Sequence, residues 1–166
     1  DYAFEIEYFD RHLVKIIEEL QKRNLLENTI IVVTSDNGMP FPRVKGQVYP
    51  FDNRLPLAIR WGNGIKNPGR VINEYFSFSD FAPTFLDLAG IDEENHDMKP
   101  FSGKSWDSVF KNLKNTLPRE HMIIGKERHD VGRENDEGYP VRGIVKGNYF
   151  YSRNFKPHRW PAGNPE

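Results

Sequence analysis

The sequence predicts an α/β fold: a partial α/β sheet unit over residues 1–92, followed by a small antiparallel α+β subdomain over residues 93–166. Three observations predict it. The chain opens on a helical stripe of apolar residues. A β-branched run follows and ends on a polar turn. The last third holds two strand-like runs joined by Lys146-Gly147.

Ile6, Phe9, Leu13, Ile16 and Leu20 are spaced by three and four, with Glu18, Glu19, Gln21 and Lys22 largely on the other side, so residues 3–23 read as an amphipathic helix. Asn24 is its expected terminator. Residues 29–35, Thr-Ile-Ile-Val-Val-Thr-Ser, form a continuous run that suits a strand covered on both faces, as in a parallel sheet. The Asp36-Asn37-Gly38 turn then stands at the carboxyl end of that strand, where open α/β sheets gather ligands. Pro40, Pro42, Gly46 and Pro50 make residues 39–53 a loop. Residues 55–61 read as a strand, followed by turns at Gly62-Asn63-Gly64 and Pro68-Gly69, and residues 71–78 as a further short strand. A helix through Phe81, Phe85, Leu86 and Leu88 is expected, capped by Ser79 or Asp80 and ended by Gly90. Polar residues 93–99 mark the boundary between the halves. Beyond it come a short helix at 105–112, a strand at 120–126 and a hairpin of 141–145 with 148–155. Pro157, Pro161 and Pro165 leave the tail irregular.

Lys plus Arg number 23 and Asp plus Glu 24, a net charge of −1, which argues against a general nucleic-acid binder but allows a local basic pocket. No apolar run approaches the ~20 residues of a membrane-spanning helix. There is no cysteine, which removes disulfides, thiolate metal sites and a cysteine nucleophile together. The first residues, Asp-Tyr-Ala-Phe-Glu, lie inside the predicted helix and carry neither Met nor a signal pattern. The expectation is a start within a longer protein, any targeting signal lying upstream.

Several residues can carry chemistry. Asp36 and Asn37 place two oxygen ligands side by side, as hard cations such as Ca²⁺ require, although Asp-Asn-Gly is also ordinary turn chemistry. Lys45, eight residues beyond Asn37, can bring a cation to the same crevice or stand solvated. Arg43 and Arg54 invite the same reading with less support. His129-Asp130 and Arg142 form a polar segment suited to an acid/base couple or a hydroxyl clamp, or to a plain surface loop. His12 and His121 read as structural, His96 and His158 as solvated. Tyr149, Phe150, Tyr151, Phe155 and Trp160 read as core and edge packing in preference to a carbohydrate platform.

Taken in order, these segments resemble the C-terminal part of a type I sulfatase of the alkaline-phosphatase-like superfamily. The carrying residues are Leu25-Leu26-Glu27-Asn28-Thr29, the run from Ile30 through Ser35 into Asp36-Asn37-Gly38, then Lys45, Leu55-Pro56-Leu57-Ala58-Ile59-Arg60-Trp61, and Phe78-Ser79-Asp80-Phe81-Ala82-Pro83-Thr84-Phe85-Leu86-Asp87-Leu88-Ala89-Gly90. Asp36-Asn37-Gly38-Met39-Pro40-Phe41-Pro42 is similar to the heparan N-sulfatases, and His129-Asp130 with Tyr139-Pro140-Val141-Arg142 is compatible with that subgroup.

The resemblance implies one divalent cation, usually Ca²⁺, held by two early Asp residues and a later Asp-Asn pair matched by Asp36 and Asn37. It implies sulfate contact by Lys45, sugar contacts by His129, Asp130 and Arg142, and a sulfated carbohydrate substrate. The nucleophile it implies is a formylglycine hydrate made from a Cys/Ser-x-Pro-x-Arg motif. Here the chain departs from the family: no Cys is present, and none of its seven Ser residues lies in that context. The early Asp-Asp pair is absent too. The expectation is that the missing N-terminal part of the same enzyme supplies both, and that the 166 residues alone are inactive. Family habit implies an extracytoplasmic location. Two alternatives stay open: a non-catalytic glycan-binding or interaction module, and a phosphatase-like relative.

Overall fold

The computed structural model describes residues 1–42, 44–92, 97–113, 119–127, 135 and 137–159. Helix α1 spans Tyr2–Lys22 and stops as its sequence demands. Asn24 turns left-handed at φ 58°, a conformation Asn tolerates, and Leu25 N–H closes back on Leu20 O at 2.9 Å. No residue of α1 is buried, so its apolar stripe lies open. A 3-10 turn at Leu26–Asn28 leads into β1, Ile31–Thr34.

β1 pairs with β2, Leu57–Arg60, with Ile31 opposite Arg60 and Thr34 opposite Leu57. The pairing is antiparallel and β1 is half-buried, which corrects the parallel, doubly covered strand expected from its composition. The β-branched run signals a demand for cover. Strand direction is set instead by the connection, which returns the chain so that Thr34 Oγ1 donates to Pro56 O at 2.7 Å. Within that connection, read above as loop throughout, Pro50–Asn53 forms one helical turn, α2, started by a proline that needs no N–H partner there.

Residues 71–78 do not form the expected strand. Their side chains serve packing instead: the Phe76 ring meets Phe81 edge-on at 4.8 Å and Trp106 at 4.6 Å. A 3-10 turn at Phe78–Asp80 opens α3, Phe81–Leu88. Asp80, one of the two expected residues, is the N-cap of α3 by position but makes no side-chain cap bond to it. The side-chain cap lies on the preceding 3-10 turn, where the Ser77 hydroxyl accepts from Ser79 N–H at 3.3 Å and Asp80 accepts from Ser77 N–H at 2.8 Å, a reciprocal capping box. Gly90 ends α3 at φ +71°, as its position predicts.

Helix α4, Asp107–Phe110, sits on the first half of the chain. Trp106 N–H donates to the buried Thr84 hydroxyl at 3.0 Å, and Lys66 N–H donates to Phe110 O at 2.8 Å. Among the described residues the buried apolar side chains are Val48, Trp106, Phe110 and Val141. The C-terminal sheet runs β3 (Met122–Lys126), β4 (Val141–Lys146) and β5 (Tyr149–Asn154) in sequence order, all antiparallel. Gly147, at φ 52°, begins the two-residue turn of the β4–β5 hairpin, as a tight turn of this hand requires.

Candidate functional site

The end of β1 delivers Asp36 to the surface and Asn37 to a half-buried position. Asn37 N–H donates to Asp36 Oδ1 at 3.0 Å, and Ser35 Oγ donates to Asn37 O at 3.0 Å, so the turn is stitched by its own side chains. The Asn37 amide nitrogen donates to Gly38 O at 2.8 Å, which leaves its Oδ1 as the end that can meet a cation. Gly38 is required by close approach: a Cβ there would lie 2.6 Å from Phe51 O and 2.7 Å from Asp52 Cα, both backbone atoms.

That approach puts Asp52 in the loop's centre. Gly38 N–H donates to Asp52 Oδ1 and Gln47 N–H to Asp52 Oδ2, each at 3.0 Å. One carboxylate thus clamps both ends of residues 38–47, and Lys45, two residues from Gln47, is carried on the clamped loop. Lys45 N–H also donates to Met39 O at 3.2 Å, and the Lys45 side chain is exposed. The C-terminal sheet braces the same loop. Lys126 Nζ donates to Gly46 O, and the Phe150 ring meets Tyr49 edge-on at 6.1 Å.

As a cation site the turn is a part set. Asp36 and Asn37 supply oxygen ligands of the right hardness, but both Asp52 oxygens are committed to backbone donors, and Ca²⁺ takes ~6–8 oxygens. Among the described residues no group of three or more His, Cys, Asp or Glu comes together. The residues present fit a hard cation as contributors to a larger shell.

The structure brings Asp36, Asn37 and the Lys45 loop together. Arg142 stands on β4 opposite Gly125 and adjacent in register to the Lys126–Val141 pair, so it points to the face away from the loop that Lys126 reaches. It pairs there with Glu127. His129, Asp130 and Arg43 lie outside the described residues. Arg54 is exposed beside α2.

Sequence reasoning missed Asp52, whose only signal was an acidic residue inside a proline-bounded loop. It also missed the partner of Asp80. Arg119 makes a two-pronged ion pair with the fully buried Asp80, with Nη2 donating to Oδ1 at 2.6 Å, and Lys104 N–H donates to the same oxygen at 2.9 Å. Burial alone pushes the Asp80 carboxyl up. The Arg119 guanidinium and the N–H groups of Ser77 and Lys104 outweigh it and hold the carboxyl below its usual range. This node joins α3 to residues on both sides of α4.

The fold and these motifs have counterparts. The chain is 28% identical over 154 residues to an ulvan-active sulfatase of Formosa agariphila, covering 90% of this chain and 23% of that one. It is 27% identical over 152 residues to the human N-sulphoglucosamine sulphohydrolase, covering 89% of this chain and 29% of that one. It therefore spans about a quarter of the length of these relatives. A phosphonate monoester hydrolase structure from Silicibacter pomeroyi superposes with TM-score 0.69 at 21% identity, over 87% of this chain and 30% of that one, which establishes the shared fold alone. The sulfatase family model matches residues 1–91, the stretch that holds α1, β1, the Asp36 turn, the clamped loop, β2 and α3. The chain belongs to the sulfatase family.

Proposed function

We propose that the chain is the later part of an enzyme that hydrolyses a sulfate group from a sulfated sugar, the N-sulfate of a glucosamine being the favoured target. The observation that carries this reading is the Asp36-Asn37-Gly38 turn joined through Asp52 to the Lys45 loop, in a chain of the sulfatase family. The N-sulfate preference draws on the 36–42 segment and on likeness to the human N-sulphoglucosamine sulphohydrolase.

Asp36 and Asn37 would hold Ca²⁺ through the carboxylate and the amide oxygen. The bound cation supplies positive charge beside the sulfuryl oxygens. Lys45 donates from Nζ to a sulfuryl oxygen and offsets the charge that grows as the S–O or S–N bond breaks. His129 and Asp130 serve as sugar contacts in this reading, whereas Arg142, facing away from the Lys45 loop, is set aside as a contact at this site. Formylglycine has no source in this sequence, so the nucleophile and the two early Asp ligands are assigned to a preceding portion of the same enzyme, in an extracytoplasmic compartment.

The test begins with the coding region upstream of Asp1 and proceeds to the protein it encodes. Sulfate release from N-sulfated and O-sulfated glucosamine should need Ca²⁺ and fall by about 100-fold or more in Asp36→Ala and in Lys45→Ala. The 166-residue chain alone should neither release sulfate nor hold Ca²⁺ tightly. Turnover by that chain alone, or undiminished activity in both variants, would overturn the assignment. A coding region with no Cys/Ser-x-Pro-x-Arg motif would put the non-catalytic glycan-binding module in its place.

A further inference from the structure

Strand β5 lies at the edge of the three-stranded sheet. Alternation sends Phe150 toward the site loop and sets Tyr149, Tyr151 and Arg153 on the opposite face, spaced by roughly 7 Å along the strand. One strand inward, the register places Lys146 beside Tyr149, Ile144 beside Tyr151 and Arg142 beside Arg153. Tyr149 is 83% exposed and Tyr151 65%, against the packing role their composition predicts. Large apolar surface left bare on a regular sheet marks an interaction surface.

The charges on this face have one sign at its centre. The Arg153 guanidinium lies 4.9 Å over the Phe155 ring, and no carboxylate pairs with it among the described residues. Arg142 folds over Gly125, where a Cβ would come within 2.8 Å of Arg142 Cδ, so the absent side chain lets the guanidinium lie along the sheet. Glu127 and Glu120 partner Arg142 and Lys146 from the rim. Both pairs are exposed, and such pairs contribute about 1 kcal/mol at most, so an incoming anion can take the carboxylate's place.

We propose that this outward face binds a sulfated sugar chain at a second area, separate from the Asp36 turn. The ligand class rests on the sulfated-sugar reading above; the surface rests on the exposed tyrosines and the Arg142–Arg153 row. Tyrosine rings pack against the C–H faces of pyranose rings, and the cations meet sulfate groups along the same edge. Because the face is opposite the one that braces the Lys45 loop, a chain held here does not occupy the turn. The contact serves to retain a polymer near the enzyme while its end is processed.

The test is titration of the 166-residue chain with a heparin-derived octasaccharide, its chemically desulfated counterpart and a single-stranded oligonucleotide of similar charge. The expected result is binding of the sulfated octasaccharide only, weakened about tenfold in Tyr149→Ser and in Arg153→Gln, each equivalent to about 1.4 kcal/mol. Both positions are exposed, so circular dichroism should be unchanged. Binding lost in Lys45→Ala but kept in Tyr149→Ser and Arg153→Gln overturns this proposal and leaves the sulfatase site standing. Equal binding of the desulfated sugar or the oligonucleotide, or no binding of the octasaccharide, overturns it as well. Failure of the sulfate-release reading would be seen separately, in the activity of the encoded enzyme.

Discussion

Asp52 carries two backbone hydrogen bonds on one carboxylate, and hydrogen bonds to charged groups contribute about 1.5–3 kcal/mol each. Asp52→Ala should therefore loosen residues 38–47 without unfolding β1 or β2. Amide hydrogen exchange is the measurement: Gly38 and Gln47 should lose protection by tenfold or more, while Val32 and Ile59 keep theirs. Asp80 acts differently, since its ion pair is buried. Removing one partner of such a pair costs about 3–5 kcal/mol, so Asp80→Asn should lower the unfolding free energy by about that much. The folded-state pKa of Asp80 lies below its unfolded value of about 3.9, so its contribution is complete above that pH and is lost as pH falls through the folded value. Urea midpoints from pH 6 to 2.5 should fall more steeply in the unaltered chain than in Asp80→Asn. The Asp36-Asn37-Gly38 turn was readable because strand run and turn residues are neighbours in sequence. Arg119 was not, because its partner is 39 residues away and nothing local distinguishes it from a solvated arginine.

Among the elements, α1 and the C-terminal hairpin were legible because each is specified by local periodicity and turn chemistry. The direction of β1 was not. Ile31, Val32 and Val33 ask for cover, and either pairing direction supplies it. Residues 71–78 show the reverse failure: their strand-forming composition finds no sheet edge, and Phe76 is taken by the aromatic cluster around Trp106. The open stripe of α1 has a consequence at this scale. Phe9 and Ile16, 53% and 56% exposed, should drive concentration-dependent association of the isolated chain. Sedimentation should show larger species at higher concentration, and Phe9→Ser with Ile16→Ser should return it toward monomer. A monomeric unaltered chain would count against this.

The whole molecule exposes 12796 Å² of accessible surface, whereas a compact 19.4 kDa monomer exposes about 8,500 Å². Helix α1, none of whose residues is buried, contributes to that excess. A small apolar core around Trp106, Phe110, Val48 and Val141 must hold the rest. Its cross-links span the boundary expected near residues 93–99: Arg119 with Asp80, Trp106 with Thr84, and Arg70 with Asn112 at 2.8 Å. Adding a cation should stabilise the isolated chain little, since stabilisation by a ligand requires concentrations well above its dissociation constant. Thermal midpoints with and without millimolar Ca²⁺ should agree within about 2 °C.

The bond from Lys126 to Gly46 and the Phe150–Tyr49 contact also impose an order on synthesis. A ribosome adds ~5–20 residues per second from the N-terminus. The loop bearing Lys45 thus emerges well before Lys126 and Phe150 exist to brace it. Its final shape waits for the hairpin, so a nascent chain arrested ahead of β3 would present Asp36 and Asn37 on a turn that Asp52 has clamped but whose neighbouring loop has no floor beneath it.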